Sequence, residues 1–137
     1  MSPLDPNAVH ASPGALLVAG AWAQWLLAPI LAIIVSVIYY RTAPTGISRT
    51  LRALAAAHGA TIALLYMVAM VVFWTEMASP KFGVPFLLSL LVPIVLAIVS
   101  LFIFQGRKSI HWLQLVNLPC LAWTAFIGIM AITGDWL

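Results

Sequence analysis

The chain has 137 residues, 64% of them hydrophobic and only 7% charged. Soluble domains carry about a quarter charged residues, so this surplus of apolar surface excludes a water-soluble fold and makes lipid the expected solvent. The net charge of +3 does not point to nucleic acid, because the basic residues sit in two short loops rather than along one face.

Residues 1–13 contain Pro3, Pro6 and Pro13, which oppose a helix. This segment lacks a positive n-region, and the apolar run after it is too long for a signal-peptide core. We therefore expect a loosely ordered extracytoplasmic tail followed by a retained span. Four apolar runs follow, at about 14–40, 50–75, 84–104 and 110–133. Each is long enough for a crossing of about 20 helical residues. The connections are short: "RTAPTGISR", with Pro44 and Gly46 as punctuation, then "EMASPKFGVP", then "QGRKS". Short loops make sequential helices antiparallel. The expected fold is all-α, an up-down-up-down bundle of four transmembrane helices forming one domain over residues 14–137.

Arg41, Arg49 and Arg52 flank the first loop, and Arg107 and Lys108 the third. The opposite side holds only Lys81 among the basic residues, with Asp5, Glu76 and Asp135. The positive-inside rule places loops one and three in the cytoplasm and both termini outside, as in a multi-pass protein of a bacterial-type inner membrane. The same five basic residues are positioned to touch anionic lipid headgroups. Trp74 and Trp136 are expected at the outer interface, and Tyr39, Tyr40 and Trp112 at the inner one.

Helices in lipid associate through small residues and a few hydrogen bonds. Each span carries such a row. The first has Gly20, Gln24, Ala28, Ala32 and Ser36; the second has Ala55, Gly59 and Ala63. The third has Ser89, Pro93, Ala97 and Ser100; the fourth has Gln114, Asn117, Cys120, Thr124 and Gly128. These rows read as packing seams that face a common axis. Pro29, Pro93 and Pro119 each remove a backbone hydrogen bond within a span, shaping the packing or marking a hinge.

His58 is the one histidine, acid or basic side chain well inside a span. It lies roughly 9 Å deeper than Arg52, at 1.5 Å per residue. Gln114 and Asn117 lie at comparable depth, and Ser36 and Ser100 approach the same layer from the other helices. The expected polar cluster of the cytoplasmic half is thus Ser36, His58, Ser100, Gln114 and Asn117, with Gln24 and Ser89 as a sparser outer pair. The simplest role is structural: a neutral imidazole bonded to Asn117 or Gln114, holding two helices in register. A proton path is a second role, although every acid lies outside the spans. Haem ligation is a third, although His111 sits shallower than His58 and His10 lies in the tail.

No Ser-His-Asp set can be assembled, no carboxylate joins His58 for a metal site, and no glycine-rich phosphate loop is present. The lone Cys120 excludes an intramolecular disulfide. No catalytic residue, metal or cofactor is therefore expected. The leading expectation is a non-enzymatic membrane protein acting by helix–helix contact with another integral membrane protein or with itself. It would serve as an accessory or assembly subunit, or as an immunity-type protein. The alternatives are a homo-oligomeric transporter or channel using the cluster around His58, and a haem-binding redox subunit.

Overall fold

The structure, a computed structural model, describes residues 27–135. The tail, the first part of span one with Gly20 and Gln24, and Trp136 lie outside the described residues. Among the described residues every regular element is helical. They are α1 (Leu27–Thr42), α2 (Arg49–Trp74), a 3₁₀ turn (Pro80–Phe82), α3 (Gly83–Ser89), α4 (Leu91–Ile103) and α5 (Lys108–Thr133).

Among the described residues three stretches are long and apolar enough to cross a membrane: Arg49–Trp74, Pro80–Ile103 and Lys108–Thr133. The described part of span one, Leu27–Thr42, is a shorter apolar helix. This is the architecture of an all-α membrane protein.

Local chemistry sets the helix ends. Ser48 caps α2, its hydroxyl accepting from the Leu51 amide at 3.3 Å. Gly134 stops α5 in the left-handed conformation (φ 79°), its N–H returning to Met130 O. The third span breaks at Leu90, a few residues before Pro93. Proline has no amide hydrogen, so the Ser89 carbonyl loses its helical partner, and the helix resets there. Pro119, by contrast, is carried inside a continuous α5.

Loops one and three share one end of the molecule. Arg107 donates to Thr42 O at 3.4 Å, and Tyr39, Ala43, Ala55, Phe104 and Ile110 pack together there. At the other end the Ser79 amide donates to Ile132 O at 2.8 Å, tying the second loop to the end of α5. The described helices therefore alternate in direction.

The described helices do not ring a common axis evenly. α2 is the central helix, packing on α1, α4 and α5, while α1 also packs on α5. α3 closes on α5, with Phe86 lying over Gly128. α4 packs along α2 and makes no extended contact with α5, its neighbour in sequence.

The tightest seam joins α1 to α2. Ala28, Ala32 and Ser36 meet Ala55, Gly59 and Ala63, all buried. A methyl group on Gly59 would overlap the Ala32 carbonyl oxygen and the Ser36 hydroxyl. Only glycine lets the two backbones approach so closely.

Tyr39 corrects the expectation drawn from its position near a span end. It is fully buried, its ring making edge contacts with His58 and Phe104 at centroid distances of 5.2 Å. Tyr40, Trp74 and Trp112 are exposed, as interfacial anchors must be.

Candidate functional site

The separation of α4 from α5 leaves a cleft of about 520 Å³, with α2 as its floor. His58 and Ile62 contribute from α2. Pro93, Ile94, Ala97, Ile98 and Leu101 line one wall, and α5 from Lys108 to Leu121 lines the other. The cleft runs about 20 Å along α5, at 1.5 Å per residue. Its lining is almost wholly apolar, and Ile94, Ile98, Leu115 and Leu118 on its walls are exposed, so it opens sideways.

The expected polar layer converges on this cleft. His58 and Asn117 stand at matching positions, each about 14 Å into its helix from the same end. Both are buried, and both line the cleft together with Gln114. Ser100 joins from α4: Gln114 Nε2 donates to Ser100 Oγ, and to Ala97 O at 3.1 Å, bridging the two separated helices. Ser36 stands apart from this group. It faces Gly59 in the α1–α2 seam, with its buried hydroxyl unpaired.

The hydrogen bonds differ from the simplest expectation for His58. Its Nδ1 pairs with Ala55 O at 2.8 Å, within its own helix, rather than with Asn117 or Gln114. His58 Nε2 and both amide atoms of Asn117 are buried with no partner. Gln114 is turned toward α4, so the layer is stitched from α5 to α4 and not from α5 to α2.

The remaining seam residues are in place for packing. Thr124 and Gly128 are buried on α5, while Ala97 is half-buried between α2 and the cleft. Among the basic residues, Arg52 donates to Ile47 O at 3.0 Å and Thr45 O at 3.3 Å, clamping loop one. Arg41, Arg49, Arg107 and Lys108 are exposed at that same end. Sequence reasoning missed Tyr39 as the ring that holds His58, and His111 as a cleft residue whose buried Nδ1 is unpaired. Both sit where a sequence reads interface, and no local pattern marks them as inward.

Among the described residues the buried imidazole and amide, His58 and Asn117, share one level, while the buried hydroxyls of Tyr66 and Thr124 lie beyond it. Beyond it lies a closed apolar core of Tyr66, Ala69, Met70, Phe86, Leu90, Ile127, Met130, Ala131 and Ile132. Thr61 and Ser89 hydroxyls are returned to carbonyls of their own helices. Among the described residues no group of three or more His, Cys, Asp or Glu side chains is arranged to hold a metal ion. Comparison with family models, with curated proteins and with solved structures finds no match.

Proposed function

We propose that this is a small non-enzymatic membrane protein that works by helix–helix contact inside the bilayer. It would act as an accessory or assembly subunit of a larger membrane complex, or as an immunity-type protein that blocks a toxin there. On this reading it resides in a bacterial-type inner membrane, with loops one and three in the cytoplasm and both termini outside.

One observation carries the proposal: the third span is packed on one side only. Only 22% of its most apolar stretch is buried, against 44% in each of the spans around α2 and α5. Below the Leu90 break it rests on α2 alone, apart from the Gln114 bridge. Val84, Leu88, Leu91, Val95, Ile98 and Phe102 form an outward row at alternating steps of four and three, the spacing of a helix–helix seam. Among the described residues the buried imidazole and amide side chains share one level, which favours contact over transport, since a transport path needs polar groups through the full thickness.

A photo-crosslinking residue at Val95, with one at the outward Ile33 of α1 as comparison, tests this in native membranes. We expect a discrete adduct to another integral membrane protein from Val95 only. Adducts solely between copies of the chain would shift the reading to a homo-oligomeric transporter. The absence of any discrete adduct would remove the contact reading.

A further inference from the structure

We propose that the α4–α5 cleft is a binding site for a neutral, lipid-soluble hydroxyl compound, a long-chain alcohol, phenol or hydroquinone, recognised through its O–H by His58 and Asn117. The assignment does not depend on a protein partner.

The helix of His58 fixes the tautomer of its ring. His58 Nδ1 lies 2.8 Å from Ala55 O. A carbonyl oxygen only accepts, so Nδ1 carries the hydrogen, and in the neutral ring Nε2 keeps its lone pair. The edge contact with Tyr39 holds the ring in this orientation. Nε2 is therefore a fixed, unpaired acceptor on a residue that lines the cleft. The side chain is only 1% exposed, and Nε2 has no protein partner.

Asn117, 4% exposed on the same cleft, has an unpaired donor and an unpaired acceptor. Hydrocarbon tails satisfy none of these groups, and unmade bonds in lipid are expensive. The Gln114 amide nitrogen is already committed to Ala97 O and Ser100 Oγ, so the buried, unpaired donor at this depth is that of Asn117 and the fixed ring acceptor that of His58.

These groups define the ligand. His58 requires a donor, so a ketone, ester or ether oxygen does not serve it. A hydroxyl donates to Nε2 and can also accept from Asn117 Nδ2. An anionic headgroup is disfavoured, because Lys108 lies about 14 Å back along α5 from Asn117. The rest of the ligand is hydrocarbon, to match Ile62, Ile94 and Leu118. A volume near 520 Å³ falls within the range of small-molecule sites, about 300–1,000 Å³. The sideways opening admits the ligand from the bilayer.

The test uses the full chain in phosphatidylcholine nanodiscs with a radiolabelled long-chain alkylphenol and its methyl ether. The two probes share shape and apolar area, but the ether has no donor. We expect saturable binding of the phenol and about tenfold weaker binding of the ether, the effect of one unmade bond to a buried acceptor. H58L should bring the two probes to equal affinity. L118W, at an outward wall position that leaves the core untouched, should abolish phenol binding. Should H58L fail to fold, the probe comparison on the unaltered chain and L118W still decide. Equal affinity of phenol and ether for the unaltered chain, non-saturable binding, or full binding by L118W would overturn the assignment. So would haem bound at His58 in protein taken from its native membrane.

Discussion

Gly59→Ala offers the sharpest test of the packing. The added methyl would overlap the carbonyl oxygen of Ala32 and touch Ser36. The Ala32 oxygen belongs to a helical backbone and cannot swing aside, so α1 and α2 must separate along the whole Ala28–Ser36 seam. Overpacking of this kind costs about 1–3 kcal/mol, and a rigid obstacle places it near the top. Alanine returns about 1 kcal/mol of helix propensity over glycine. The net expected loss is about 2 kcal/mol. Equilibrium unfolding in mixed micelles measures it, with Gly46→Ala as control, because nothing lies within 4 Å of a methyl there. Gly128→Ala should cost less, since the obstacle is the tip of the Phe86 ring, which can tilt. A Gly59→Ala protein as stable as the parent would refute the close α1–α2 approach.

Gln114→Leu should weaken the α4–α5 bridge by about 0.6 kcal/mol, the usual worth of an interhelical bond in lipid, because Ser100 keeps its bond to Ala97 O. A loss of several kcal/mol in the same unfolding assay would show that this bridge holds the fold. His58→Ala should cost about 1 kcal/mol through the lost ring contact with Tyr39 and leave the helical content intact in circular dichroism. Unfolding of that variant would mean the layer is a keystone of the bundle. In a Cys120→Ser background, a single cysteine at Thr45 should react with an impermeant maleimide only from the cytoplasmic side; labelling from outside would reverse the orientation.

The α1–α2 seam was legible because small residues at four-residue steps have few other uses in lipid, and Ala32 opposite Gly59 fits that reasoning. The depth match of His58 with Gln114 and Asn117 was legible for the same geometric reason. The cleft was not. Ser89, Pro93, Ala97 and Ser100 form a row like those of the other helices, and nothing local tells that this row meets α2 and the Gln114 side chain rather than the α5 backbone. Pro93 announced a disturbance, but the reset at Leu90 depends on the carbonyl that the proline leaves unpaired. Tyr39 misled because a tyrosine near a span end has the composition of an anchor, whereas its burial is decided by Phe104 and His58 from other helices.

The most direct test of function is gentle extraction of the tagged protein from its native membrane, with mass spectrometry of what accompanies it. We expect another integral membrane protein at fixed stoichiometry. A chain that arrives alone, and that confers ion or solute flux when reconstituted in vesicles, would contradict the helix-contact function and make transport the working hypothesis.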